Sequence, residues 1–172
     1  QCGISFQLLD SERILAKGLR QNHDRITDYS VARLCACLVE NPKCTNLQID
    51  LSGCGYQISN QGVAILGTAF SKMPSLQYLD INLRSFTINE VGISGMCECL
   101  GKVISLKKLK INLSDCQKVG DKALSSIGMS LLSTNLTDLE LNFSNCISLT
   151  DKGLGGLCAA LAKLSKVPGL KR

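Results

Sequence analysis

Four short segments of the chain alternate apolar and polar residues with a period of two. Their sequences are LQIDL (47–51), LDINL (79–83), LKINL (109–113) and LELNF (139–143). Such alternation is typical of a β-strand that buries one face. Because the segments start 32, 30 and 30 residues apart, the chain is built from repeats, and the pattern predicts one equivalent strand in each of them.

A second marker recurs at nearly the same period, where an apolar residue is followed by two small polar or acidic positions. It begins at Ile26, Ile58, Ile88, Val119 and Leu149. Apolar residues then follow at helical spacing, and side-chain oxygens at this point are suited to cap the start of a helix. The marker predicts helices over 28–40, 60–72, 90–102, 121–133 and 151–164.

One repeat therefore consists of a strand, a turn, a helix and a return segment. Strands that run in the same direction and are joined by helices form a parallel sheet. We expect an α/β fold with the strands on one face and the helices on the other. A weaker strand candidate, residues 15–19, lies one period before Leu47 but places Lys17 in a core position.

The last repeat resembles the cysteine-containing leucine-rich repeat. Its matching positions are Leu136, Leu139, Leu141, Phe143, Cys146, Leu149 and Gly153. With its repeat length, the chain is similar to the ribonuclease-inhibitor-like class over about residues 15–172. The resemblance implies a right-handed solenoid, or horseshoe, with parallel strands on the concave face and helices on the convex face. We expect a single domain over 1–172, with about five repeats of 30–32 residues.

Members of this class mostly act by binding other proteins. The resemblance implies a noncatalytic interaction scaffold that binds a protein partner through its concave sheet face, as part of a larger chain or assembly. The alternative is a regulatory fragment, either the substrate-recognition arm of an F-box ubiquitin ligase or a regulator of a small GTPase. We expect a piece of a longer protein, since residue 1 is Gln1 and Leu170 resembles the start of another repeat.

The charge and the apolar runs of the chain argue against nucleic-acid binding and against a membrane span. The net charge of +5 comes from 19 basic and 14 acidic residues, and no Phe or Tyr follows Phe143 to accompany the basic C-terminal cluster. Nucleic-acid binding would favour basic residues interleaved with aromatic ones, so we expect none. No apolar run approaches the roughly 18 residues that cross a bilayer, so we expect no membrane span.

The ten cysteines are explained mainly by the repeat. One apolar position after each strand holds Cys54, Phe86, Cys116 and Cys146. Adjacent strands lie about 4.8 Å apart, so Cys116 and Cys146 fall within reach of a disulfide, which the packing does not need. We expect these thiols to be buried and reduced, and reduced thiols favour a cytoplasmic location.

A helix position that accepts only small side chains accounts for a second group of cysteines. It holds Cys35, Gly67, Cys97, Gly128 and Cys158. Two of these cysteines belong to C-x-C pairs, Cys35 with Cys37 and Cys97 with Cys99. Residues two apart on a helix point about 200° from each other, so the two thiols of a pair do not bind one metal ion. We therefore expect small buried side chains in this position and no metal site.

Catalytic chemistry has little support in the sequence. The only histidine, His23, lies in a polar stretch that is typical of a solvated loop. No phosphate-binding loop, dinucleotide fingerprint or zinc motif is present, so we expect no enzyme activity and no cofactor. The glycosylation sequons at Asn112 and Asn142 fall inside predicted strands, where we expect their amides to hydrogen-bond along the strand ladder.

The outward-facing strand positions are the natural binding site, since solenoids bind through the surface that their repeats present side by side. The predicted partner-binding residues are Tyr78, Asp80, Asn82, Arg84, Lys108, Lys110, Asn112, Glu140 and Asn142. Lys110 falls between Asp80 and Glu140 and is predicted to pair sideways with both. Mutual neutralisation and partner contact are both open interpretations of these charges.

Overall fold

The computed structural model describes residues 4–10, 12–18, 26–54 and 57–164. In this part the chain forms six strands and five helices. The strands are β1 (Ile4–Asp10), β2 (Arg13–Gly18), β3 (Asn46–Asp50), β4 (Tyr78–Asn82), β5 (Lys108–Asn112) and β6 (Asp138–Asn142). The helices are α1 (Asp28–Val39), α2 (Asn60–Ser71), α3 (Glu90–Leu100), α4 (Asp121–Leu131) and α5 (Asp151–Leu164). The chain therefore has an α/β fold.

All six strands join one sheet, and their order in the sheet is their order in the chain. Strands β2 to β6 are parallel, and equivalent residues of the repeats pair with each other. Leu79, for example, pairs with Leu47 on one side and Leu109 on the other. One strand is thus added per repeat, with a helix between each strand and the next from β2 onward.

The four predicted strands and five predicted helices are confirmed. Each of the strands β3 to β6 begins one residue before its predicted start, at Asn46, Tyr78, Lys108 and Asp138. Each helix begins at its predicted residue and ends within two residues of its predicted end. Differences of this size are common at the ends of elements, so the repeat pattern placed these nine elements correctly.

The prediction for the first strand was wrong in register. Strand β2 pairs Ile14 with Leu47 and Ala16 with Ile49, and both of its residues in these pairs are buried. Lys17 instead pairs with Asp50 and is exposed. The core positions of β2 therefore lie 33 residues before their equivalents in β3, because the first repeat is one residue longer than the alignment assumed.

The sequence also gave no indication of β1. This strand runs antiparallel to β2, with Phe6 opposite Ala16 and Leu8 opposite Ile14. The expectation that all strands run in one direction is therefore wrong at this edge of the sheet. Only two residues separate the two strands along the chain, and a link this short is compatible with antiparallel neighbours but not with parallel ones.

The hydrophobic core lies between the sheet and the helices. The inward residues of the strands, such as Leu79 and Ile81, are fully buried and belong to the same cluster as Leu66, Ile93 and the other buried helix residues. Each helix also contacts the next helix along the chain. This burial is the main stabilising contribution, on the order of 1.5–3 kcal/mol for each large apolar side chain.

A tight turn follows each of the strands β3 to β6. Its second residue has a positive φ angle, at Gly53, Ser85, Asp115 and Asn145, a conformation that Gly, Asn and Asp adopt more readily than most residues. The Oδ1 atoms that end the strands accept hydrogen bonds from N–H groups two residues on, at Asp50, Asn82, Asn112 and Asn142. For Asn112 and Asn142, whose side chains are expected to hydrogen-bond along the ladder, the side-chain oxygen instead accepts a bond within its own turn.

The helix starts are joined from one repeat to the next. Asp28 at the start of α1 accepts hydrogen bonds from the backbone N–H and the hydroxyl of Ser59, at 2.8 and 2.5 Å. Asp121 accepts the same pair from Thr150, at 2.8 and 2.6 Å, and these bonds lower the pKa of Asp121 below its usual value. A Cβ atom at Gly153 would collide with the Asp121 carboxylate, which explains the small residue there.

The cysteine positions follow the repeat except at its last member. Burial is confirmed for Cys35, Cys54, Cys97, Cys116 and Cys146. Cys158 is exposed, so the expectation of a buried side chain is wrong there. In the other helices this position faces the next helix, as Gly128 faces Ala160, but among the described residues no helix follows α5.

Candidate binding surface on the outer sheet face

The residues that alternate with the core residues of β2 to β6 point away from the helices and form a surface that we call the outer sheet face. The structure brings eight of the nine predicted residues together on β4, β5 and β6, in three rows. The rows are Tyr78–Lys108–Asp138, Asp80–Lys110–Glu140 and Asn82–Asn112–Asn142, in which Asp138 is the one residue that was not predicted. The ninth residue, Arg84, lies in the turn after β4.

The side chains of this face are half-buried or exposed, and no layer of the described chain covers them. Tyr78, Asp80 and Lys110 are half-buried by their neighbours in the sheet, whereas Lys108 and Glu140 are exposed. The surface therefore combines an aromatic ring with charges of both signs, within reach of an approaching molecule.

The predicted sideways pairing of Lys110 is confirmed on one side. Its Nζ lies 2.6 Å from Oε2 of Glu140, and this hydrogen bond raises the pKa of Lys110 above its usual value. On the other side, Asp80 accepts a hydrogen bond from the Tyr78 hydroxyl at 3.2 Å and adds only a small electrostatic effect to the pKa of Lys110. The nearest partner of the Asp80 carboxylate is thus Tyr78 of its own strand.

Two further carboxylates contribute to this surface and were missed in the sequence. Lys108 Nζ lies 3.6 Å from Oδ2 of Asp138. Arg84 Nε lies 2.7 Å from Oδ2 of Asp115, while the Asn145 amide donates to the other oxygen of Asp115 at 2.9 Å. The hydrogen bond from Asn145 has the largest effect in lowering the pKa of Asp115, and Arg84 lowers it further. Asp138 lies one repeat after Lys108, so an alignment of the repeats at the position of Tyr78 and Lys108 would have identified it.

The ion pairs of the outer sheet face contribute little to folding. Pairs between exposed charges are typically worth about 0–1 kcal/mol, and both partners of the Lys108–Asp138 and Lys110–Glu140 pairs are more than 40% exposed. The fold therefore gives no strong reason for these particular charges. Their arrangement is available for recognition.

A shallow depression lies at the other end of the same face. It has a volume of about 200 Å³ and is lined by Leu15, Lys17, Gln48, Ile49, Asp50, Asp80 and Asn82. The sequence missed it because Lys17 was assigned to the core. Five of its seven lining residues are polar or charged, so it suits the insertion of a single polar side chain from a partner.

The helical side offers a different surface. An open groove between α3 and α4 is lined in part by Glu90, Ser94, Glu98, Lys122 and Ser126. The hydroxyls of Ser94 and Ser126 lie 2.7 Å apart across it. The groove also carries exposed charges of both signs, at Glu98 and Lys122.

Reactive groups are scarce in the described part of the chain. Burial raises the pKa of the Cys35 and Cys97 thiols to about 12, which keeps them protonated and poor as nucleophiles. No three His, Cys, Asp or Glu side chains of the described residues come together to hold a metal ion. His23 lies outside these residues. None of the described helices is both long and apolar enough to cross a bilayer.

The chain matches no protein-family model and no curated protein sequence. The interpretation of its function therefore depends on the repeat and on the surfaces described above.

Proposed function

We propose that the chain is a leucine-rich-repeat solenoid with the outer sheet face on its concave side. The strand order supports this proposal, because each repeat adds its strand beside the previous one from β2 to β6. In a doubly wound sheet the order reverses at a switch point. Contacts between each helix and the next agree with a stack in which each repeat packs only on its neighbours.

We further propose that this solenoid is a noncatalytic scaffold that binds a protein partner on the outer sheet face. The observation that carries this proposal is the set of aligned, solvent-accessible rows centred on Tyr78, Asp80 and Lys110. Aromatic side chains such as Tyr78 are enriched in protein interfaces, and complementary charges around them contribute to the choice of partner. The depression beside Asp80 supplies a place for an anchoring side chain of the partner.

Site-specific photo-crosslinking tests this proposal. A photoreactive phenylalanine analogue replaces Tyr78 on the outer sheet face in one variant. In a matched variant it replaces Tyr29, which is 70% exposed on α1. A specific partner is expected to crosslink at position 78 and not at position 29, and the crosslink is expected to weaken with Lys110→Glu. Crosslinking at position 29 alone would place the interface on the helical side and overturn the proposal.

A further inference from the structure

The two edge strands of the sheet differ sharply in chemistry. Strand β6 carries Asp138, Glu140 and Asn142 on its outward positions, and charged side chains on an edge oppose pairing with other chains. Strand β1 reads ISFQLLD, with its single charge at the last position. Asp10 is itself neutralised by Arg13, whose Nε lies 2.6 Å from Oδ2. Among the described residues, the β1 edge thus carries no unpaired charge that would oppose pairing.

The apolar side chains of β1 are unusually open to solvent. Phe6, Leu8 and Leu9 are 42%, 53% and 44% exposed. Phe6 and Leu8 lie on the same face of the sheet as Ala16 and Ile14, their buried partners on β2. They therefore extend the core face beyond the part that the described helices cover. An exposed apolar strand of this kind is typical of an interaction site.

We propose that β1 pairs with β1 of a second copy of this chain, in antiparallel orientation about a two-fold axis at Gln7. Over Phe6, Gln7 and Leu8, before the irregularity of β1 between Leu8 and Asp10, residues whose numbers sum to 14 then face each other. Phe6 lies opposite Leu8 of the second copy, and the same contact occurs again on the other side of the axis. The pair joins two six-stranded sheets into one continuous sheet.

The sequence of β1 supports a second copy over other occupants. Its three central residues are self-complementary, because Phe6 and Leu8 meet each other and Gln7 meets its own copy. An isologous contact of this kind needs one surface that matches itself. Pairing with β6 of another copy would instead place Phe6 and Leu8 beside a strand that carries two carboxylates. Such head-to-tail pairing would also add copies in an open chain and would not close into a dimer.

The mass of the 172-residue chain in solution tests the proposal directly. A two-fold dimer has about twice the monomer mass of 18.5 kDa. We expect light scattering to give this mass at a protein concentration of about 100 µM, which is well above a micromolar dissociation constant of the kind that small interfaces have. Leu8→Lys places two charges in the pair and is expected to weaken dimerisation at least about tenfold. Ile147→Lys is the matched control, because Ile147 is 77% exposed at the opposite end of the repeats.

The controls separate this inference from the proposed function and from other assemblies. Lys110→Glu on the outer sheet face is expected to leave the dimer intact, and circular dichroism checks that each variant is folded. A monomer at every concentration, or a dimer that survives Leu8→Lys, overturns the proposal. Larger species that Ile147→Lys removes would also overturn it, since they indicate head-to-tail stacking.

A crosslink reports on the proposed register. Gln7→Cys, in a chain whose Cys2, Cys37 and Cys158 are replaced by Ser, places two thiols across the two-fold axis. Directly opposed residues of antiparallel strands have Cα atoms about 4.5–5.5 Å apart, within the range that disulfides span. A covalent dimer is expected after mild oxidation, and Gln61→Cys on α2 in the same background is expected to give none. Equal crosslinking by both variants contradicts the register.

Discussion

The two faces of strand β4 show how differently the repeat constrains neighbouring residues. Leu79 and Ile81 point inward, are fully buried, and have Leu or Ile at both equivalent positions of β3 and β5. Asp80 lies between them and points outward. Its neighbours in the same row are Gln48, Lys110 and Glu140. Packing thus determines residue type on one face, while on the other it permits a change of charge at every strand.

This difference implies that stability and recognition are carried by separate residues of the same strand. The inward face contributes through area removed from water. The outer sheet face contributes ion pairs of small net effect, but it determines the charge pattern that a partner meets. Substitutions on the inward face are therefore expected to lower stability, whereas substitutions on the outer sheet face are expected to weaken partner binding.

The largest expected effect is on the inward face. Ile81→Ala removes buried methyl and methylene groups from a closed part of the core and is expected to lower the free energy of unfolding by about 2–5 kcal/mol. Asp80→Ala, one residue away on the outer sheet face, is expected to change it by less than about 1 kcal/mol. Guanidinium denaturation of both variants measures the contrast. Equal losses would mean that the outer sheet face also supports the fold.

A second effect, of intermediate size, comes from the buried thiols. The pKa of Cys97 is raised from 9.0 to about 12 by burial, so the folded chain keeps this thiol protonated where the unfolded chain ionises it. Its contribution is complete below pH 9 and is lost as pH rises toward 12. At pH 10.5 the unfolding free energy should be lower than at pH 8 by up to about 2 kcal/mol for this group.

The matched variant Cys97→Ala isolates that contribution. Denaturation in reducing buffer is compared at pH 8 and pH 10.5, and the variant is expected to lose less stability between the two values than the parent chain. The same loss in both chains would show that other groups cause the alkaline effect and that Cys97 is not closely packed.

The smallest expected effect is the coupling of Lys110 with Glu140. A double-mutant cycle with Lys110→Ala and Glu140→Ala is expected to give only a small coupling energy, because ion pairs between exposed side chains contribute little. Because Glu140 raises the pKa of Lys110, the coupling is present below the ordinary value of 10.5 and is lost as pH rises through the raised value. A coupling of several kcal/mol would assign this pair a structural role instead.

Elements that recur could be predicted from the sequence, whereas elements that occur once could not. Strands β3 to β6 have equivalents one period away, and each helix start is marked by a residue such as Asp28 or Asp121. Strand β1 has no equivalent, and its pairing with β2 depends on a connection that no pattern marks. The register of β2 was missed for the same reason, since overlooking one extra residue in the first repeat moves Lys17 from the outer sheet face to the core.

The candidate site shows the same division. The columns of Asp80, Lys110 and Glu140 follow from the period, so their proximity was predictable. The partner that each side chain selects was not, because Lys110 bonds Glu140 while Asp80 bonds Tyr78. Cys158 was misjudged because the repeat predicts a neighbour on both sides of every helix, and the last described helix has only one.

The most direct test of the central claim is the affinity of a partner identified by crosslinking at position 78, measured by titration calorimetry. Tyr78→Ala and Lys110→Glu alter the outer sheet face, and Glu98→Lys and Lys102→Glu are charge reversals on the helical side, where both residues are exposed. The account predicts at least about tenfold weaker binding for the first two, as expected for residues at the centre of an interface, and no significant change for the others. Unchanged binding by the first two, with loss in Glu98→Lys or Lys102→Glu, would contradict it.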